Sequence, residues 1–279
     1  QLLFDSRTVI GLENPGYVDI RNIASLNHAP IESLSLDSDG LIVAENLDRC
    51  DYVYVTPSHQ SPTTVTMPID RRYELLRRAS DADLIVIEDD YDSELAFSGR
   101  PVPALKSLDY DDRVIYIGSL SKTLAPGLRI GYLVGSSDLV KELRAIRRLM
   151  LRHPAVNNQR AAALFLERGH HDSLVRSLVR VYQERAHVLQ SALSHYMPAA
   201  RHTPVGGGSS CWIKAPEGLQ ARALQRLALD SGVLLEPGDI HFLPPNCPVN
   251  YFRLGFSSIA TERIQPGIRT LAGIFNNMA

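Results

Sequence analysis

Only four lysines, Lys106, Lys122, Lys141 and Lys214, stand against 25 arginines, so any chemistry that needs a primary amine has four places to occur. Lys122 stands apart because of its neighbours in Ser119-Leu-Ser121-Lys122-Thr-Leu-Ala-Pro-Gly127-Leu-Arg129: hydroxyls three and one residues before it and a guanidinium seven residues after it. An amine condenses with an aldehyde to a Schiff base, hydroxyls bond phosphate oxygens, and arginine meets phosphate charge with a planar fork. The set suits an aldehyde that carries a phosphate, the chemistry of pyridoxal phosphate. A second cluster, Glu88-Asp89-Asp90-Tyr91-Asp92-Ser93-Glu94, directly follows the apolar run 84–87. A carboxylate there would keep a pyridine nitrogen protonated, and a pyridinium withdraws electrons from a Schiff base far better than a neutral pyridine does. Asp89 is the candidate for that partner, and Tyr91 for a hydrogen bond to the ring's phenolic oxygen.

Two other readings compete. A solvated acidic turn would explain the carboxylates without any ligand, and a magnesium site behind a nucleotide-binding strand would explain their position. The second needs a phosphate-cradling G-x-x-x-x-G-K-[ST]. The nearest segment, Gly118-Ser-Leu-Ser-Lys122-Thr123, has Ser121 where the glycine before lysine belongs, and it follows the acidic strand instead of opening the fold. A lone S-x-S-K would be an ordinary loop lysine; the acidic cluster and Arg129 together turn the balance toward a cofactor site.

The elements that must position these groups read as follows. Residues 51–56 (DYVYVT) alternate and then break at Pro57, a strand running into a loop. Ile69, Tyr73, Leu76 and Ala79 recur at helical spacing, and the wholly apolar run 84–87 follows. Residues 113–118 (RVIYIG) and 129–134 (RIGYLV) repeat that run's type, which suits a parallel sheet covered on both faces. Helical pattern takes over at 138–152 and at 157–169, with Gly169 as a stop. A long helix from about 172 to 196 can bridge two domains. Beyond it come a strand ending at 211–214, a helix near 219–231, a run at 233–235, a strand at 251–256 and a last helix from Thr261. The fold class expected is α/β, with a mostly parallel large domain over 1–170 and a linking helix plus small α+β domain over 171–279.

Composition bounds the function. The 279 residues carry a net charge of −2, which gives no bulk attraction to phosphate backbones or acidic membranes, so this chain alone is a poor nucleic-acid binder. Cys50, Cys211 and Cys247 are odd in number and form no C-x-x-C pair, which fits a reducing compartment, with cytoplasm the default. No apolar run approaches the ~18 residues of a membrane helix, and the opening residues lack the basic start of a signal peptide. The chain begins without Met and in mid-pattern, and is expected to be a fragment. The histidines show no ligand spacing, and no metal is expected.

The strings YVTPSHQSPT (54–63), IEDDYDSE (87–94), RPVPALKSLD (100–109), RVIYIGSLSKTLAPGLRIGY (113–132) and PAVNNQRAAALFLERG (154–169) together resemble one family. It is the aminotransferase-like domain of the MocR/GabR group of bacterial transcription regulators, and the resemblance runs over nearly the whole chain. It implies a PLP-dependent transferase fold of type I, a homodimer, and an N-terminal winged-helix domain of the GntR type through which alone DNA would be bound. By motif, Lys122 would be the Schiff-base lysine, Asp89 the pyridine-nitrogen partner and Tyr91 the O3′ partner. Ser119, Ser121 and Arg129 would be phosphate contacts. Tyr17, after Pro15-Gly16, resembles the aromatic that stacks on the cofactor ring, and Arg253 the arginine that grips a ligand carboxylate. His59 and Gln60 lie where the family contacts the ring or its O3′ oxygen.

Three departures stand out. The family's first phosphate loop would precede Gln1. Thr64 replaces the glycine usual after Pro-Thr. Asp19 lies near where the GABA-responsive member has a basic residue; an acid there repels an anion and attracts an ammonium group, which argues against GABA as the ligand. The resemblance implies an effector-sensing and dimerisation domain that answers an amine, an amino acid or pyridoxal phosphate itself by exchange at Lys122, with little or no turnover. The rival is a free-standing aminotransferase using the same residues.

Overall fold

Alternate residues of one short strand enter two different cores, and that decides the architecture. In a computed structural model, which describes residues 2–97, 102–245 and 247–278, Val53 and Val55 pack with Leu34, Leu75, Val86 and Val114, while Tyr54 packs with Ile10, Leu12, Ile87 and Ile115. A strand buried on both faces belongs inside a sheet covered on both sides. Arg100 and Pro101, which open one of the strings carrying the resemblance, lie outside the described residues, as do Gln1 and Ala279.

In chain order the first sheet is built from β1 (Ile10–Asn14), α1 (Val18–Leu26), β2 (Ile31–Asp37), β3 (Gly40–Leu41), β4 (Tyr52–Val55), α2 (Ile69–Asp81), β5 (Ile85–Asp90), α3 (Leu105–Leu108), β6 (Val114–Ser119) and β7 (Gly131–Val134). The seven strands lie in the order β3-β2-β1-β4-β5-β6-β7. β2, β1, β4, β5 and β6 run parallel; β3 and β7 close the edges antiparallel.

Two expectations are corrected here. The run at 129–134 is no buried parallel strand: β7 pairs antiparallel with β6 at the edge, with Tyr132 and Val134 about half exposed. The chain returns through the turn at 120–130, too tight for the crossover that a parallel partner requires. In α2 the inward stripe is Arg72, Leu75 and Ala79, whereas Tyr73 is 51% exposed. Arg72 is tolerated inside because its guanidinium donates to the carbonyls of Met67, Pro103 and Pro57 and lies 3.7 Å from Glu88, itself held by the amides of Leu105 and Lys106.

The helices that follow are α4 (Ser137–Met150), capped by Ser136, α5 (Val156–Glu167) and α6 (His170–Tyr196). Gly169 sits at φ +69 between α5 and α6, the left-handed conformation that stops a helix. Then come β8 (Arg201–His202), β9 (Ser210–Lys214), α7 (Ala221–Asp230), β10 (Glu236–Pro237), β11 (Tyr251–Gly255) and α8 (Thr261–Met278). Strands β10-β11-β9-β8 make a second, antiparallel sheet that shares a core with the C-terminal half of α6 and with α7 and α8. The run at 233–235 is not a strand. Val233 donates back to Ala228 to close α7 and Leu234 points to solvent, so pairing starts only at Glu236, opposite Arg253. Among the described residues no helix is long and apolar enough to cross a membrane.

Candidate functional site

Parallel strands end on one side of their sheet, and the loops beyond those ends converge there. Here the edge gathers Asn14 of β1, Val55 of β4, Asp90 of β5 and Ser119 of β6, with Asp89 paired to Ile117 and Asp90 to Gly118. The acidic cluster and the Lys122 turn are therefore neighbours because β5 and β6 are neighbours.

Asp89 accepts a short hydrogen bond from the hydroxyl of Tyr54. Burial pushes its carboxyl up to about 6; the Tyr54 bond pulls the other way, and the charges of Asp90 and Asp92 add to the rise. Beside it Glu13 is fully buried. Its Oε2 accepts from the Thr56 amide (3.3 Å), the Thr56 hydroxyl (2.9 Å) and Gln60 Nε2 (3.1 Å), while Oε1 has no partner among the described residues. Burial outweighs those three bonds and pushes Glu13 up to about 7.

Tyr17 is 41% exposed at the start of α1 and donates to Asp19 Oδ2 at 2.8 Å. Burial, then Asp19, pushes its hydroxyl up to about 12, with Asp89 adding to the rise and Arg129 opposing it. Tyr17 thus feels both the acid expected at the ring nitrogen and the arginine expected at the phosphate. The Tyr91 hydroxyl donates to the His59 carbonyl at 2.9 Å; burial raises it far above the ordinary value, and Arg253 opposes that rise. These contacts and fields bring Asp89, Tyr91, Tyr17, Asp19, Arg129 and Arg253 to one region.

Lys122 is exposed, with no hydrogen bond or ion pair among the described residues, and the same holds for Arg129, whose φ of 52 is left-handed. Ser119 Oγ accepts from the Ser121 amide at 3.2 Å, which leaves its own proton to donate, and Ser121 is half-buried in the same turn.

Other expected groups are already engaged. Nδ1 of His59 lies 2.8 Å from Asp92 Oδ1, both buried, and a Cβ at Gly207 would stand 2.0 Å from its Nε2, so the ring is enclosed. Gln60 spends its amide on Glu13, Pro15 and Ser61 and its carbonyl on Thr63. Arg253 donates to Glu236 Oε2 at 3.0 Å, Glu236 Oε1 lies 2.8 Å from His241 Nε2, and His241 Nδ1 lies 3.2 Å from the Gly16 carbonyl. Thr64, where a glycine is usual, sits at φ +64 with its buried hydroxyl unpartnered among the described residues.

Sequence reasoning missed Tyr54, Glu13, Asp92, Glu236 and His241 as site residues. Tyr54 had a signal: it alternates with Val53 and Val55, which places it on the opposite face of β4. Glu236 had none, because only the register of β10 on β11 sets it opposite Arg253.

The family model for aminotransferase class I and II matches residues 1–271. The HTH-type transcriptional regulator TauR of Rhodobacter capsulatus is 39% identical over 98% of this chain and 56% of its own length. The aromatic-amino-acid aminotransferase 1 of Thermococcus litoralis is 30% identical over 95% of this chain and 66% of its own. Among solved structures, LysN, the alpha-aminoadipate aminotransferase of Thermus thermophilus, complexed with N-(5'-phosphopyridoxyl)-L-leucine, superposes with a TM-score of 0.94 at 29% identity, over 99% of this chain and 73% of that one. The chain spans a little over half the length of the regulator.

The residues present fit the family's cofactor. Among the described residues an exposed unpartnered amine, an unpartnered guanidinium and a free hydroxyl proton surround the turn after β6, and a carboxyl raised by burial, with no cation bonded to it, lies at the end of β5. The chain belongs to the aminotransferase class I and II family, whose cofactor is pyridoxal phosphate.

Proposed function

We propose that this chain is the effector-sensing and dimerisation part of a MocR/GabR-type transcription regulator, with residues 1–170 as its cofactor-binding domain and 171–279 as linking helix and small domain. The observation that carries the reading is Lys122, exposed and without a partner among the described residues, just beyond the strand that lies beside Asp89. The higher identity to a regulator than to an aminotransferase favours sensing over turnover.

Bound here, pyridoxal phosphate supplies an aldehyde that condenses with amines and a ring that withdraws electrons. Lys122 is the attachment point. Ser119 and Ser121 donate to the phosphate and Arg129 pairs with its charge. Asp89, oriented by Tyr54, would hold a proton at the ring nitrogen, and the Tyr91 hydroxyl, which donates to the His59 carbonyl, would be the donor to the ring oxygen. Tyr17 would cover the ring, and His59, held by Asp92, would lie beside it. A ligand amine would compete with Lys122 for the aldehyde, Asp19 would offer charge to an ammonium group, and Arg253 would receive an acid group where the ligand has one.

Arg253 stands on β11 of the second sheet and Lys122 beyond β6 of the first. A ligand touching both binds one relative placement of the two sheets better than another, and that differential affinity is all a switch requires. The working protein is then a cytoplasmic homodimer that meets DNA through a GntR-type domain N-terminal to this chain.

The test is borohydride reduction of the intact protein with pyridoxal phosphate, followed by peptide mass spectrometry. The pyridoxyl mass is expected on the peptide containing Lys122 and is lost in Lys122→Ala. An adduct confined to Lys106, Lys141 or Lys214 overturns the assignment. An operator-binding change on adding an amine, without ketone product, separates regulator from enzyme.

A further inference from the structure

Arg253 is the group that would take a ligand's carboxylate, yet one of its terminal nitrogens already donates to one. Glu236 and Arg253 stand directly opposite on antiparallel β10 and β11, and Nη2 donates to Oε2 at 3.0 Å. The other oxygen of Glu236 is fixed from behind by buried His241, 2.8 Å from Nε2. The far side of that ring meets the Gly16 carbonyl at 3.2 Å, and the Gly16 amide donates to the His241 carbonyl at 2.9 Å. Both partners of the imidazole are acceptors, and a neutral tautomer donates to one of them. Glu236 lies between the Arg253 guanidinium and the His241 ring. The His241 bond, and then the Arg253 charge, hold its carboxyl below the usual glutamate range. Both members of the Arg253 pair are about one third exposed, 34% and 37%, so a ligand can reach them.

We propose that Glu236 is the specificity-determining residue of this site: a tethered carboxylate that occupies Arg253 and biases the site toward amines with no carboxylate of their own. A ligand amine without an acid group leaves the pair intact. An amino acid has to displace Glu236 from Arg253, and it competes with a group fixed on the neighbouring strand at high local concentration. Glu236 released from Arg253 keeps His241, so amino acids are disfavoured and not excluded. The discrimination comes from a competing internal contact, not from a pocket wall.

This inference rests on the reading of Lys122 as the cofactor's attachment point and of Arg253 as the carboxylate grip. The experiment uses the intact protein loaded with pyridoxal phosphate, titrated with ethylamine and with L-alanine, which is ethylamine plus a carboxylate, and followed by visible absorbance. Glu236→Gln is expected to tighten L-alanine by about fivefold or more, the factor expected for a partly exposed charge-assisted pair, and to leave ethylamine within twofold. Glu236→Asp, which withdraws the charge from the fork by one methylene, is expected to move L-alanine the same way by less. In the double variant with Arg253→Gln the gain for L-alanine disappears.

Equal shifts for both ligands, or none for either, in Glu236→Gln overturn the proposal while the wild-type response to amines keeps the Lys122 reading. If L-alanine binds Arg253→Gln as well as wild type, the carboxylate grip itself is wrong. A wild-type protein that answers neither amine overturns both.

Discussion

Glu13 offers the sharpest physical test because one oxygen of a fully buried carboxyl carries no hydrogen bond among the described residues. The perturbation is Glu13→Gln, which has the shape of the protonated acid and keeps an oxygen for the Thr56 and Gln60 donors. A carboxyl moved by burial from its ordinary 4.5 to about 7 is worth roughly 3 kcal/mol of linkage between protonation and folding. The sign follows from the direction. The folded-state value is raised, so the stabilising contribution is fully present below about 4.5 and is lost as pH rises through about 7. Glutamine has no proton to lose. The stability of Glu13→Gln relative to wild type should therefore rise by about 3 kcal/mol between pH 4.5 and 8. Urea unfolding of the cofactor-free protein at half-unit pH steps measures this. Other carboxyls, Asp89 among them, titrate in both proteins and largely cancel in the difference. Parallel profiles for the two proteins across that range would falsify the claim that burial outweighs the three hydrogen bonds of Glu13.

Asp89→Asn should weaken pyridoxal phosphate binding to the intact protein by about tenfold or more, since a charge-assisted bond at the ring nitrogen is lost. Wild-type affinity should fall as pH drops through about 6, where Asp89 takes up a proton, and equilibrium dialysis should find that step missing in the variant. Thr64→Gly should stabilise the protein by roughly 1 kcal/mol and raise Tm by about 2–4 °C, because it removes a β-branched residue at φ +64 and an unpartnered buried hydroxyl. A lower Tm in a melting curve would show that the loop conformation is not strained.

What the sequence determined by itself was local. Lys122 with its hydroxyls and Arg129, and Asp89 with Tyr91, lie within a few residues of one another, so one turn or one strand end carries each group whatever the rest of the chain does. Alternation likewise announced β4, apolar runs announced β5 and β6, and Gly169 announced the break before α6. The tertiary structure decided every relation between distant segments. Tyr54 reaches Asp89 and His59 reaches Asp92 only because β4 lies beside β5, and Glu236 reaches Arg253 only through the register of β10 on β11. The direction of β7 and the inward turn of Arg72 were settled the same way, by the length of a connection and by carbonyls that other segments present. Spacing along a chain fixes which groups share a turn. Strand register and burial fix which groups share a proton or a charge, and both are sums over contacts made by the whole fold.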